Sequence, residues 1–443
     1  MPRALKQAIL IFILFAKGAL ATPLSLDLRG SVERAFHAAP DIQAARSRLE
    51  EAQAGVSLLS SAWFPRINLE LKVGTYHDRV PNPGDISIPL TGRDRNQYIG
   101  QLVAVQPIFS GFNWSAKRSL AHAQRSYQEA DLRLTQATTL RKVIETYFTV
   151  QILQRQVIAE NEVATLREKQ WDQVKMRKQQ GRATELETLQ AEYAVRSQVP
   201  QLRRLETDRD LKALAFAQLI GVTPDTDFTF TDSVDKAAEI LEEAALPSLK
   251  DALASLLKGN PTLVRAEVKE TQSVHEAGVA FAKHLPSLDL RLFAGTNTNL
   301  RTNLVSSESL AYGGEVVLVV PLFSGLESLY ERRQSRAKMA AAQSELISTR
   351  DSLVQAMIRA HRSWEVEKAR VVVEKKNIEI TRLLITRAEA LYSAGRLTLT
   401  EVLEAYTNHL AARRAYEQAT LEWVLSIIEV KALLGVLPDD TAA

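Results

Sequence analysis

Two periodicities alternate along this chain, and each occurs twice. Across residues 66–73, Ile67, Leu69, Leu71 and Val73 alternate with Arg66, Asn68, Glu70 and Lys72. Across residues 288–294, Leu288, Leu290, Leu292 and Ala294 alternate with Asp289, Arg291 and Phe293. A period of two with one apolar and one mostly polar face predicts strands. A second strand follows in each copy, at 98–109 and 312–323. Its apolar set is Tyr98, Gly100, Leu102 and Ala104, matched by Tyr312, Gly314, Val316 and Leu318. Gln101 and Glu315 mark the other face, where Val103, Val105, Val317 and Val319 weaken the alternation. Polar loops at 77–97 and 296–311 would join each pair of strands.

After Gly111 the period changes. Leu120, Ala123, Tyr127, Ala130, Leu134 and Ala137 recur at steps of three and four, and Leu346, Leu353, Met357, Ala360 and Trp364 do so in the second copy. These are coiled-coil-like seams. No proline lies between Phe112 and Gly181 or between Leu326 and Gly395. Each segment is therefore expected to be one helix of about 65–70 residues, roughly 100 Å long. A returning helix of about 38 residues would follow at 183–220, kinked at Pro200. Pro40 and Pro261 suit the first turn of the helices that precede the strands, with Asn260 as a cap. Those helices would end near Ala62 and Lys283.

The copies align position by position. Pro40, Pro65 and Gly74 meet Pro261, Pro286 and Gly295 at a shift of 221 residues. Pro107, Gly111, Gly181 and Gly221 meet Pro321, Gly325, Gly395 and Gly435 at a shift of 214. The chain is thus one unit written twice: helix, strand, strand, long helix, shorter helix. The first repeat is placed at 22–245, the second at 246–437, and a short tail at 438–443.

Composition narrows the setting. Arg3 and Lys6, the apolar run 8–16 and the Ala19-Leu20-Ala21 pattern read as a signal peptide over 1–21, cleaved before Thr22. The alternative is an uncleaved anchor, but the run is too short to span a bilayer. The net charge of +3 falls to about zero without Arg3, Lys6 and Lys17, and no basic patch argues for nucleic acid. The chain has no cysteine, which excludes disulfides, thiolate metal sites and cysteine nucleophiles. The seven histidines show no close pair at ligand spacing, and no phosphate loop, activated nucleophile or paired-acid signature appears. No cofactor and no enzyme activity are expected.

Four strands per chain cannot close a barrel, and open edges are not tolerated in lipid. Three chains would supply twelve strands, enough for an open lumen. The apolar face would then meet lipid and the polar face water. Trp63, Tyr76, Tyr98, Phe109, Tyr312 and Phe323 would form an aromatic girdle at strand ends. The other reading makes them core aromatics of a soluble sheet.

Here a resemblance becomes specific. The strand exits are Gln106-Pro107-Ile108-Phe109-Ser110-Gly111 and Val320-Pro321-Leu322-Phe323-Ser324-Gly325. The helical turns open with Gly181-Arg182-Ala183-Thr184 and Gly395-Arg396-Leu397-Thr398. With the leader, the repeat and the proline-initiated helices, these resemble the TolC-like outer-membrane efflux family over essentially the whole mature chain. The resemblance implies a mixed α/β membrane protein: a homotrimeric 12-stranded outer-membrane barrel, four strands per chain, continuous with a long periplasmic helical coiled-coil barrel. It implies a passive exit duct set in outer-membrane lipid, served by a periplasmic adaptor protein and an inner-membrane pump of an efflux or type I secretion system. A periplasmic coiled-coil structural or adaptor protein is the alternative.

Site expectations concentrate on the two turns. Gly181 and Gly395 would take the left-handed geometry that ends a helix. Thr184 with Glu187, and Thr398 with Glu401, match capping boxes. That explanation is complete by itself. The resemblance adds a second role: Gly181, Arg182, Thr184, Gly395, Arg396 and Thr398 would dock the adaptor, and Tyr392, Glu401, Glu404 and Glu187 would line the periplasmic aperture. Glu401 and Glu404, three apart, share a helix face. Repeated around a trimer, they would form a cation-selecting ring. The best-known family members carry aspartate where Glu401 and Glu404 stand, and their basic tip residue falls where Leu397 stands.

Overall fold

A computed structural model of the chain describes residues 24–61, 63–80, 91–223, 228–234, 236, 246–298, 300–301, 310–323 and 325–435. The expected leader, the tail and residues 81–90, 299 and 302–309 of the expected interstrand loops lie outside the described residues. The chain divides into two compact units, one of Met1–Arg46, Asp131–Leu263 and Thr349–Ala443, the other of Ser47–Ala130 and Val264–Ser348. Each unit takes pieces from both sequence repeats.

The second unit is organised by a four-stranded antiparallel sheet. Its strands are β2 (Arg66–Val80), β3 (Thr91–Phe109), β5 (Ser287–Thr298) and β6 (Leu310–Val319), in the order β2-β3-β5-β6. Register pairs Glu70 with Gln101, Val105 with Arg291, and Arg291 with Glu315. Polar residues therefore collect on one face. Gln101 Nε2 donates to Glu70 Oε2 at 3.3 Å, and Arg291 reaches Glu315 at 3.4 Å. On the other face Ile67, Leu69, Leu71 and Val73 are about two-thirds exposed or more, at 64–77%. Of the four valines that fall on the polar side, Val103 is paired with Phe293 and buried.

Three expectations about the strands change. β2 runs on to Val80 and β3 begins at Thr91, so Tyr76 and Tyr98 sit inside strands rather than at their ends. Residues 77–80 and 91–97, assigned to a loop, continue the ladder instead. β6 stops at Val319, short of Phe323, because β5 begins opposite it at Ser287 and Pro321 has no N–H to donate. In the first copy a bulge between Pro107 and Phe109 carries the strand past its proline.

The helices α2 (Pro40–Ser61) and α7 (Pro261–Ala282) lead into the strands, and α3 (Asn113–Gln179) and α8 (Glu327–Ser393) are the two uninterrupted 67-residue helices. Short helices α1 (Leu28–Ala38) and α6 (Leu249–Gly259) precede α2 and α7. The returning segment of the first copy is split into α4 (Glu185–Arg196) and α5 (Gln198–Leu219), whereas α9 (Leu399–Leu434) is unbroken. The split falls at Ser197, before Pro200, because a proline ring clashes with the carbonyl four residues back, that of Arg196. Asn260 accepts from the amides of Thr262 and Leu263 at 2.9 and 3.2 Å and donates to the Leu433 carbonyl at 2.9 Å. One buried side chain thus starts α7 and receives the end of α9.

The first unit has an aromatic core. β1 (Leu24–Leu26) pairs in parallel with β4 (Phe228–Phe230). Tyr147 packs edge-on against Phe230 and Phe216 against Phe228, with Phe148 and Phe216 edge-on to Tyr147, and the Tyr147 hydroxyl donates to the Leu26 carbonyl at 3.1 Å.

Candidate functional site at the helical turns

Both turns are built the same way. Gly181 and Gly395 have φ of +72°. Arg182 N–H donates to the Arg177 carbonyl and Gly181 N–H to that of Lys178, at 2.8 and 2.9 Å. Arg396 and Gly395 repeat the pair on Leu391 and Tyr392 at 2.9 and 3.0 Å. This double closure is a Schellman motif, and a left-handed residue at this position favours glycine. Three residues on, both capping boxes are complete. Glu187 Oε2 accepts from Thr184 N at 2.7 Å and Glu401 Oε2 from Thr398 N at 2.8 Å, with the threonine hydroxyls accepting in return. Bonds from the Thr398 hydroxyl and then its amide hold the Glu401 carboxyl below the ordinary carboxylate range.

The other expected residues differ in environment. Glu404 is exposed and, among the described residues, makes no hydrogen bond or ion pair. The side chains of Arg182 and Arg396 are likewise exposed and without an ion-pair partner among the described residues. Tyr392 is buried at 6% exposure with Val174, Leu399, Val402 and Tyr406, and among the described residues its hydroxyl has no partner. The Tyr406 hydroxyl, by contrast, donates to Glu389 at 2.6 Å.

One residue of the site is not among those expected from sequence. Arg177, in the last turn of α3, donates through Nη2 to the Ser393 carbonyl at 3.3 Å and through both terminal nitrogens to that of Tyr392 at 3.5 Å. Its guanidinium also lies 4.6 Å from the centre of the Tyr392 ring. Arg167 makes a second tie, donating to Ala194 O at 3.3 Å and Thr407 Oγ1 at 3.0 Å. Arg177 thereby neutralises the carbonyl end of the neighbouring long helix, the place where a cation is favoured. Repeat comparison hides it, because its mate at a shift of 214 is Leu391. The findable signal was a cation in the last turn of a helix.

This arrangement is a pair of capped helical turns bearing exposed charge. Comparison with known proteins fits it. The profile of the outer membrane efflux protein family matches residues 32–222 and 252–436. The outer membrane efflux protein BepC of Brucella suis is 22% identical over 406 residues, covering 91% of this chain and 84% of BepC. The outer membrane protein TolC of Vibrio cholerae is 21% identical over 460 residues, covering 98% and 97%. Among solved structures, CusC superposes with a TM-score of 0.80 at 16% identity, over 94% of this chain and 95% of CusC. The outer-membrane channel OprN superposes at 0.76 with 19% identity, over 93% and 90%. The chain belongs to the outer membrane efflux protein family, resides in the outer membrane, and shares the fold of solved outer-membrane channels.

Proposed function

We propose that this chain is a passive exit duct that works as a homotrimer, its four-stranded sheet contributing one third of a closed 12-stranded barrel. The observation that carries this reading is the sheet itself. Among the described residues it ends in two unpaired edges, β2 and β6, and it presents an exposed apolar face. In lipid every backbone group must be paired, so such a sheet is stable only when its edges are joined. Among the described residues no helix is long and apolar enough to cross a membrane, so the sheet is the element available to do so. The helices then form the periplasmic part, which receives substrate from a periplasmic adaptor and an inner-membrane pump of a tripartite efflux or type I secretion system.

In this reading Glu401 and Glu404 ring the periplasmic aperture, with Glu187 on the neighbouring turn and Tyr392 behind them. Gly181, Arg182, Thr184, Gly395, Arg396 and Thr398 present the turns to the adaptor. The test is single-channel conductance in planar bilayers, wild type against Glu401→Gln/Glu404→Gln. Glutamine serves the capping box as well as glutamate, so the variant removes charge while keeping the helix start. Cation-selective openings that lose selectivity in the variant support duct and aperture together. Unchanged selectivity leaves Glu401 as a helix cap alone and gives Glu404 no part in the aperture. Absence of channels, with a protein that stays monomeric and soluble without detergent, overturns the duct.

A further inference from the structure

The strand-to-helix junctions carry a feature that export alone does not explain. In the second copy the apolar face of β6, with Val316 and Leu318 exposed at 62% each, continues past the strand into Leu322 and Phe323, exposed at 92% and 84%. It then climbs the first turn of α8 through Leu326, Leu329 and Tyr330, each 58–59% exposed. Helical geometry places Arg333 on that same face, one turn above Tyr330, with Arg336 at its edge. Both are exposed, and among the described residues neither has an ion-pair partner. Their α-carbons lie roughly 10 and 15 Å along the helix from Leu326. The first copy repeats the order: Phe112, exposed at 64%, precedes the exposed pair Lys117 and Arg118.

An apolar band followed within two turns by unpaired cations matches the profile of a bilayer edge, where the hydrocarbon gives way to a headgroup layer several ångströms thick. Long basic side chains lay their stems on the apolar side and their charge among the headgroups. Unpaired arginine also has the fork geometry that binds phosphate oxygens in pairs. We propose that Arg333 and Arg336, with Lys117 and Arg118 at the equivalent junction, form a basic collar that binds the phosphates of anionic phospholipid on the periplasmic side of the membrane. Two observations fix the occupant as lipid. The collar is continuous with the strand surface assigned to lipid, and among the described residues none of its four side chains has an ion-pair partner. The inference rests on insertion of the sheet as a barrel and is independent of what the duct carries.

The test uses the full chain, inserted into vesicles of phosphatidylcholine or of phosphatidylcholine with phosphatidylglycerol. Lipid retained through gentle detergent extraction is counted by native mass spectrometry. Wild type is expected to retain phosphatidylglycerol preferentially, less so at high salt. Arg333→Gln/Arg336→Gln is expected to lose about fivefold of the preference for each arginine removed. Arg48→Gln, an exposed arginine of α2 well away from the junctions in sequence, is the control and should keep it. Equal retention by wild type and the double variant, or equal loss in the control, overturns the collar. Conductance is recorded from the same vesicles. Channels without lipid preference defeat the collar alone, whereas failure to insert into either vesicle defeats the barrel and the collar together.

Discussion

The Arg177 guanidinium joins two turns that sequence repeats would leave independent. It covers the Tyr392 ring and caps the Tyr392 and Ser393 carbonyls, so its loss uncaps a helix and removes a cation–π contact in one step. The bonds are long, which sets the expected cost of Arg177→Ala at about 1 kcal/mol. Faster amide exchange across 392–396 is the direct readout. Lys would not restore protection, because a point charge cannot serve two carbonyls and a ring at once; full rescue by Arg177→Lys would show that charge alone matters. Glu401 makes a pH prediction of definite sign. Its carboxyl is held below the usual range by Thr398, so its contribution is present above the unfolded value of about 4.3 and is lost only as pH falls through the lower folded value. Exchange at the start of α9 should therefore stay slow at mildly acidic pH and rise only in stronger acid. Fraying of that turn already near pH 6 would contradict the cap.

At the scale of elements, the long helices and the strand pairs were legible because they are long enough for a period to repeat many times. Each glycine and each capping threonine of the turns was legible for a related reason: one residue type answers one backbone requirement. What escaped was short or tertiary. β1 and β4 have three residues each, too few for any period, and exist because Tyr147 and Phe216 cover them. The short helices α1 and α6 hid in front of Pro40 and Pro261, whose signals marked only the later start. The split at Ser197 was signalled by Pro200, but its fixation was not. Glu160, fully buried on α3, accepts from Gln198 Nε2 at 3.0 Å and pairs with Arg414 of α9. Nothing in the local pattern brings residues 160, 198 and 414 together. Because Arg414 is partly exposed, the pair is less costly to break than a fully buried one, and Glu160→Ala is expected to lose about 2 kcal/mol. Glu160→Gln should lose less, since its amide still bonds Gln198. A thermal-unfolding series on the purified protein ranks the two, and equal, negligible losses would mean that the Glu160 carboxylate does not hold the break, leaving it to packing and to the bond from Gln198 Nε2 to the Glu160 carbonyl at 2.9 Å.

At the scale of the whole molecule, the strand count constrains assembly. Every neighbouring pair in the order β2-β3-β5-β6 is antiparallel, so β6 runs opposite to β2. Copies joined edge to edge therefore continue the same alternation, with no parallel seam and no unpaired strand. Because β2 and β6 are at opposite edges of the sheet within one chain, a close contact between them in the membrane must come from two different copies. The natural chain contains no cysteine, which makes the contact directly testable. Chains carrying one cysteine on β2, at Leu69→Cys or Leu71→Cys, and one on β6, at Val316→Cys or Leu318→Cys, are oxidised after membrane insertion and run under denaturing conditions. Antiparallel closure predicts that some register pair crosslinks efficiently, and that the ladder of products ends at three chains, because the ring is then complete. Cysteines on β2 alone should yield no ladder, since in a head-to-tail ring no two β2 strands adjoin. A ladder ending at two chains, or one extending beyond three, would keep the edge pairing and refute the twelve-stranded ring; no β2–β6 product in any register would refute edge-to-edge closure itself.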